Sequence, residues 1–167
     1  TRPGRHLLHD LLANARRCAQ RGRYDDAVAR LYRTVEATAQ LRLHDGYAAY
    51  HPKEDGGPDF RKALLEKVPQ PLRTQWEDMA QDGHLSLGLQ QDYKLLEALG
   101  DELAVGFRGL GLEGKSSPLN SRNQSILAHG FDPVGVAVFT GLWPKTLALA
   151  QISEAELPTF PRLGTAT

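Results

Sequence analysis

The chain has 167 residues, 41% of them hydrophobic, and its 20 basic and 20 acidic side chains give a formal net charge of zero. This length predicts a single domain with its own core, and the balanced charge argues against a protein that coats nucleic acid through its overall charge. No apolar run approaches the roughly 18 residues of a membrane span, and we expect no secretory signal. The single cysteine, Cys18, excludes an internal disulfide framework and favours a reducing cytoplasm.

The charges are unevenly distributed along the chain. Residues 1–42 contain nine arginines and four acidic residues, whereas residues 43–119 contain 13 acidic residues and eight basic ones. A basic N-terminal third can attract RNA phosphates, but its arginines can equally serve to keep the outer faces of two helices in water. Any binding of nucleic acid is therefore expected to be local.

Two long amphipathic helices are predicted at the start of the chain. From Arg5 to Arg21 and from about Tyr24 to Leu43, apolar residues recur at intervals of three and four. Gly22 breaks the pattern between them, and so short a link predicts an antiparallel pair. The apolar stripes are Leu8, Leu11, Leu12, Ala15 and Ala19 in the first helix, and Val28, Leu31, Val35 and Ala39 in the second.

The middle of the chain is predicted to hold a loop and several short helices. Residues 44–59 are polar and rich in glycine and proline, which is typical of a loop. Nothing nearby alternates in a way that could pair with Leu85–Leu89, so no sheet is expected. The predicted short helices are Phe60–Lys67, Pro71–Gln81, Gln90–Leu99 and Glu102–Leu110.

The last predicted helix runs from Pro133 to about Ile152 and is apolar on most of its sides. Such a helix belongs in the centre of a core or in a subunit interface, and Pro144 is expected to kink or divide it. We therefore predict one helical domain over residues 1–152 and an irregular tail over residues 153–167. The start at Thr1, without methionine, is consistent with a domain cut from a longer protein.

An arginine and a histidine stand seven residues apart in the segment Ser121–Phe131. Seven helical steps come to roughly two turns, so that Arg122 and His129 would share one face of a helix, about 10 Å apart along its axis. Gly130 follows where a helix commonly ends. The ordinary interpretation is a surface arginine and a histidine that satisfies the last carbonyls, since Arg2 and His9 have the same spacing.

Arg122-Asn123, five further residues and then His129 resemble the Arg-x(4–6)-His signature of the HEPN superfamily, a group of helical ribonuclease domains. Residues 5–150 more widely resemble the HEPN effector domains of CRISPR-associated ancillary ribonucleases. In those proteins the domain usually follows a sensor domain, called CARF, that binds cyclic oligoadenylate. The resemblance implies an all-α, HEPN-like helical bundle with two long N-terminal helices, short middle helices and an apolar C-terminal helix.

The resemblance also implies a reaction that needs neither metal nor cofactor. RNA carries its own nucleophile, the 2′-hydroxyl, and cleavage of single-stranded RNA leaves a 2′,3′-cyclic phosphate and a free 5′-hydroxyl. Histidine is suited to the proton transfer, and the forked guanidinium of arginine can stabilise the charge that develops on phosphorus. The resemblance therefore gives the first role to His129 and the second to Arg122. Asn123 would orient the pair or contact phosphate, and Arg33 and Glu36 on the second helix are candidates for support.

The expected partners follow from the same resemblance. In HEPN nucleases two protomers bring their motifs together across a two-fold axis and form one composite cleft, which predicts a homodimer. A sensor domain for cyclic oligoadenylate is expected outside this chain. We find no cysteine and histidine cluster with the spacing of a zinc site.

Two other hypotheses remain open from the sequence. The first is a non-catalytic helical module for dimerisation or protein interaction, because HEPN domains that have lost activity serve as such partners. The segment Gly22–Ala27 also resembles the first helix of a tetratricopeptide repeat, although no second copy follows at a 34-residue period. The second is a nuclease toxin partnered with a small nucleotidyltransferase, which shares the same domain.

Overall fold

The structure, a computed structural model, describes residues 4–47, 50–52, 58–60, 66–79, 87–112 and 135–159. Six helices, two short strands and one 3-10 helix lie in these ranges. In chain order they are α1 (Arg5–Gln20), α2 (Tyr24–Tyr47), β1 (Tyr50–Pro52), β2 (Pro58–Phe60), α3 (Leu72–Met79), α4 (Leu89–Ala98), α5 (Leu103–Arg108), α6 (Val136–Ala150) and the 3-10 helix Glu154–Glu156. The prediction of an all-α bundle with two long N-terminal helices is confirmed.

Helices α1 and α2 form the predicted pair, and a glycine makes the turn between them. Gly22 has a φ of 73°, a left-handed conformation that glycine adopts without strain. The chain can then fold back, so that the Arg23 N–H donates to the Cys18 carbonyl at 2.9 Å and satisfies one of the last carbonyls of α1. Leu8, Leu12 and Ala15 of the predicted stripe are buried on the α2 side of this pair.

Helix α2 is the centre of the bundle, because it packs against α1, α4 and α6. Val28, Leu31, Val35 and Ala39, which the sequence placed on its buried stripe, are all buried. Tyr93 of α4 is also buried, and its hydroxyl donates to the Val35 carbonyl at 2.8 Å. The same ring stacks on Phe107 of α5, with centroids 3.8 Å apart, so α4 and α5 are fixed to each other as well as to α2.

The middle of the chain departs from the prediction in its first part. Within the segment read as a loop, β1 and β2 pair antiparallel, with Tyr50 opposite Phe60 and Pro52 opposite Pro58. The helix predicted to begin at Phe60 was therefore wrong at its start, since Phe60 ends a strand. Proline and glycine punctuate hairpin turns as well as loops, and that ambiguity caused the error.

The other short helices lie close to their predicted positions. Helix α3 begins at Leu72, directly after Pro71, and α4 and α5 agree with the two predicted helices to within a few residues. Gly100 has a φ of 73° and ends α4, so that the chain turns before α5. The break between α4 and α5 thus falls at Gly100-Asp101, between the two predicted helices.

Helix α6 is continuous through Pro144, so of the two expected effects of this proline, a kink or a division, the division does not occur. Pro144 is exposed, and at such a position water can bind the carbonyl that a proline leaves without an N–H partner. The 3-10 helix follows in the segment predicted to be an irregular tail, and Leu157 after it is buried. The domain boundary at residue 152 stays a prediction. None of the helices in the described ranges is long and apolar enough to cross a membrane.

Candidate functional site

The three residues predicted to act on RNA lie outside the described residues. Arg122, Asn123 and His129 belong to the stretch 113–134, which separates α5 from α6 in the chain. Their helix, their shared face and their distance from each other therefore stay predictions. The structure does describe the two points of the scaffold from which this stretch leaves and to which it returns.

The point of departure is fixed by a side chain of α4. Leu112 is 1% exposed, and its carbonyl accepts a hydrogen bond of 3.2 Å from the side-chain amide of Gln90. Gly111 before it has a φ of 65°, which lets the chain turn sharply after α5. Gln90 was not singled out in the sequence, and nothing in its spacing could have identified this long-range contact.

The point of return is the first turn of α6. Gly135 has extended backbone dihedrals and its carbonyl accepts a hydrogen bond of 3.1 Å from the Val138 N–H, so it is the N-cap residue of the helix. The end at Leu112 is thus held on the bundle by Gln90, and the end at Gly135 is defined by the start of α6, which packs on α2. Such a scaffold can hold a functional segment in a defined place.

The predicted supporting residues Arg33 and Glu36 lie together on α2. The Arg33 guanidinium donates to the Glu36 carboxylate at 2.7 Å and to the side-chain oxygen of Gln40 at 3.2 Å. Arg33 is exposed, so the ion pair is expected to stabilise the fold by less than about 1 kcal/mol. The structure joins these residues to each other, and their support of Arg122 and His129 stays a prediction.

A buried carboxylate that the sequence analysis did not single out links α2 to the start of α5. Asp101 accepts hydrogen bonds from the Arg42 guanidinium at 2.7 Å, the Tyr47 hydroxyl at 2.7 Å and the Leu103 N–H at 2.9 Å. Its side chain is 2% exposed. An aspartate directly after a helix-ending glycine is a common helix N-cap, and that local signal could have found the contact with Leu103.

The electrostatics of this cluster favour the charged aspartate. Burial alone would raise the pKa of Asp101, but the hydrogen bonds from the Leu103 N–H, Tyr47 and Arg42 outweigh burial and hold that pKa below its ordinary value. The hydrogen bond to Asp101 in turn raises the pKa of Arg42 and that of Tyr47. All three groups therefore keep their ordinary charge states at neutral pH. We infer that the cluster stabilises the fold rather than moving protons.

Most arginines of the basic N-terminal third are engaged within the protein. Ion pairs join Arg23 and Arg30 to Asp26, Arg33 to Glu36, Arg42 to Asp101 and Arg16 to Glu154. Arg21, in the turn between α1 and α2, is exposed and makes no ion pair with another described residue. Among the described residues the basic character of this third is thus largely compensated, and Arg21 is one arginine whose positive charge remains.

The described histidines do not form a catalytic pair with an arginine. His9 lies 3.0 Å from the carbonyl of Arg5, and the imidazole of His44 lies 2.7 Å from the carboxylate of its neighbour Asp45. Within the parts of the chain that the structure describes, no group of three or more His, Cys, Asp or Glu residues is placed to hold a metal ion.

Comparison with known proteins identifies the family. No curated protein and no solved structure gave a match. The family model described as the Csm6 HEPN domain matches residues 1–153, which is most of the chain. This agrees with the helical bundle and with the family expected from the segment around Arg122 and His129. The chain belongs to the Csm6 HEPN domain family and resembles the effector domains of CRISPR-associated ancillary ribonucleases.

Proposed function

We propose that the chain is a metal-independent endoribonuclease that cleaves single-stranded RNA. One observation carries the proposal: Arg122, Asn123 and His129, spaced as in the HEPN signature, fall inside residues 1–153 that match the Csm6 HEPN domain. A chance pair of the same spacing, such as Arg2 and His9, lacks the asparagine after the arginine. Both pairs lie within residues 1–153, so the asparagine after Arg122 and the predicted helix around it are what separate them.

The proposed reaction is an internal transfer at phosphorus. The 2′-hydroxyl attacks the adjacent phosphorus and loses its proton, the bond from phosphorus to the 5′-oxygen breaks, and that oxygen gains a proton. His129 takes part in these proton transfers, because an imidazole gains and loses a proton near neutral pH. Arg122 binds the phosphoryl oxygens while negative charge develops on them, and Asn123 orients the pair. The products are a 2′,3′-cyclic phosphate and a 5′-hydroxyl.

The described scaffold supports this proposal by fixing both ends of the stretch that carries the motif. Gln90 holds the carbonyl of Leu112, and Gly135 begins α6. Positioning of this kind matters because a displacement of about 1 Å can reduce catalysis by roughly 100-fold. Arg33 and Glu36 are proposed as supporting residues of the motif because of their positions on α2.

The proposal includes a two-fold homodimer in which two motifs form one cleft. Helix α6 supports it, since Val136 is 52% exposed and Ala137, Gly141, Pro144 and Ala148 give the helix an exposed face of small side chains. Activation by cyclic oligoadenylate would come through a sensor domain outside this chain. A reducing cytoplasm fits the single cysteine, Cys18, which is a buried free thiol.

The test is cleavage of single-stranded RNA by the wild type and by two variants. We expect His129→Ala to lose the roughly 10²–10⁴-fold typical of a lost general acid or base. Arg122→Lys should also fail, because an ammonium cannot replace the bidentate contact of a guanidinium. EDTA should leave the wild-type rate unchanged. Both variants should keep the helical circular dichroism spectrum of the wild type.

Mixing the two inactive variants tests the shared cleft. If two motifs form one site, a dimer of one Arg122→Lys protomer and one His129→Ala protomer still holds one Arg122 and one His129. Part of the activity should then return on mixing and should rise with protein concentration. Cleavage by His129→Ala at the wild-type rate would reject the proposed site and would favour the non-catalytic interaction module.

A further inference from the structure

A groove lined by aromatic side chains lies between the first half of α6 and the turn from α1 to α2. Its volume is about 320 Å³. Tyr24 forms one side, Phe139 and Trp143 form the other, and Arg16 and Glu154 stand at its wall. The roles assigned above to the motif and to the Asp101 cluster do not use this groove, although Val136 lines it and also lies on the α6 face proposed for the dimer.

The three rings form a continuous surface that is only half-buried. The Phe139 and Trp143 rings have centroids 5.4 Å apart and planes at 27°, and the Tyr24 ring lies 6.2 Å from Phe139. Each of the three residues has intermediate exposure. A flat aromatic group entering the groove can therefore find ring faces to stack on, and stacking on aromatic side chains stabilises a bound nucleobase by about 1–3 kcal/mol.

The polar atoms of the groove are suited to a neutral base with a charged backbone outside. The Trp143 indole N–H donates to the Glu154 carboxylate at 3.4 Å, and Arg16 approaches the same carboxylate at 3.8 Å, so the charge of Glu154 is partly compensated. Arg21, which follows the groove residue Gln20 in the chain, is exposed and has no ion pair among the described residues. A phosphate at the edge of the groove would meet this guanidinium.

We propose that this groove binds a nucleobase of single-stranded RNA. The inference rests on the proposed function for its choice of RNA, because α6 begins only seven residues after His129. At no more than about 3.4 Å for each residue, Val136 lies within roughly 24 Å of the histidine. The groove would hold a nucleotide a few positions from the bond that is cut and would set the register of the strand.

Fluorescence of Trp143 gives a test that does not depend on cleavage. The probe is a 2′-O-methyl RNA oligomer, which presents bases but has no free 2′-hydroxyl to attack phosphorus. The chain has two tryptophans, and Trp76 is 1% exposed, so a change on binding reports on Trp143. We expect quenching by the single strand, none in Trp143→Phe, and roughly 5- to 100-fold weaker binding in Phe139→Leu.

Matched controls separate stacking from other effects. Val105→Ala removes an exposed apolar side chain elsewhere, on α5, and should leave the binding of the oligomer unchanged. Arg21→Gln should weaken binding and reduce its dependence on salt by about one phosphate contact. The same oligomer as a duplex, or as an abasic chain of equal length, should not quench Trp143, because neither offers a free base.

Each alternative outcome has a definite meaning. Equal quenching by the abasic chain, or no quenching by the single strand, would overturn the proposal. A change in Trp143 fluorescence that follows protein concentration without oligomer would show that a second copy of the chain covers the groove, which also overturns it. Quenching without cleavage of ordinary RNA would reject the proposed nuclease and support the proposed base-binding groove. Cleavage without quenching would support the nuclease and reject the groove.

Discussion

Helix α2 is the more polar of the two helices α2 and α6, and yet it is the more deeply buried one. α2 has seven charged residues and one histidine in its sequence, yet it contributes eleven buried residues to the core. α6 has Lys145 as its one charged residue in the sequence, yet only Leu142, Thr146, Leu149 and Ala150 are buried. Burial here follows the extent of packing rather than composition, because α6 packs closely against α2 and only lightly against α1 and α5.

The difference indicates which helix serves the fold and which serves binding. α2 has α1, α4 and α6 around it, so its apolar stripe is needed to hold the bundle together. α6 has apolar and aromatic side chains beyond those that its packing uses, among them Val136, Phe139 and Trp143. Apolar surface that a fold leaves uncovered commonly marks an interaction site. Both proposals about α6 start from this excess.

The largest expected effect is on stability in α2. Leu31→Ala should reduce the free energy of unfolding by about 2–5 kcal/mol, because Leu31 is 1% exposed and its removal leaves a cavity. The matched variant Leu147→Ala in α6 should cost clearly less, about 1–2 kcal/mol, since Leu147 is only partly buried against the core. Urea denaturation of both variants measures this. Equal losses would break the comparison between the two helices.

The second effect concerns the tie between α2 and the start of α5. Asp101→Ala should cost about 1–3 kcal/mol of stability at neutral pH, because three hydrogen bonds to a buried carboxylate disappear. The control Arg108→Ala removes an ion pair with Glu97 that is exposed on both sides and should cost less than about 0.5 kcal/mol. Urea denaturation at several pH values compares the two.

The pH dependence of the Asp101 variant has a definite sign. Because the folded pKa lies below the ordinary value of 3.8, the contribution of Asp101 is fully present above that value and is lost as the pH falls through the folded pKa. The stability difference between wild type and Asp101→Ala should therefore be constant near neutral pH and shrink in acid below about pH 4. A difference that grew in acid would contradict the assignment of a charged Asp101.

The smallest effect is a gain in α6. Gly141→Ala should raise stability by about 0.5–1 kcal/mol, because an added Cβ meets nothing within 4 Å and alanine is the better helix former. The control Gly106→Ala should gain less or lose, since its Cβ would lie 2.9 Å from Leu149 Cδ1. Thermal unfolding measures both. A loss in Gly141→Ala that deepened with protein concentration would place a second copy on this face.

The helices could be predicted because their signals are local. The intervals of three and four predicted the positions of α1 and α2. Gly22 marked the end of α1, and Gly100 marked the end of α4. The hairpin of β1 and β2 could not be predicted, because each strand has only three residues and their pairing depends on a register that no local pattern sets. Continuity through Pro144 was missed because it depends on which side of α6 faces water.

For the candidate site, the sequence predicted which residues take part but not how they are arranged in space. Arg122, Asn123 and His129 came from the spacing and the family resemblance, and their geometry lies outside the described residues. The contacts of Asp101 with Arg42 and Tyr47 and that of Gln90 with Leu112 were missed, because these partners are 22 to 59 positions apart in the chain. Contacts over such separations follow from how helices pack, which a single sequence does not show.

The position of Pro144 has a consequence for the shape and use of α6. Three of the four buried residues of the helix follow the proline, whereas the aromatic residues Phe139 and Trp143 precede it. A proline on the solvent side favours curvature towards the core, so the two halves of a helix need not point the same way. The C-terminal half can then stay anchored in the bundle while the direction of the N-terminal half is tuned independently, by substitutions that leave the core untouched.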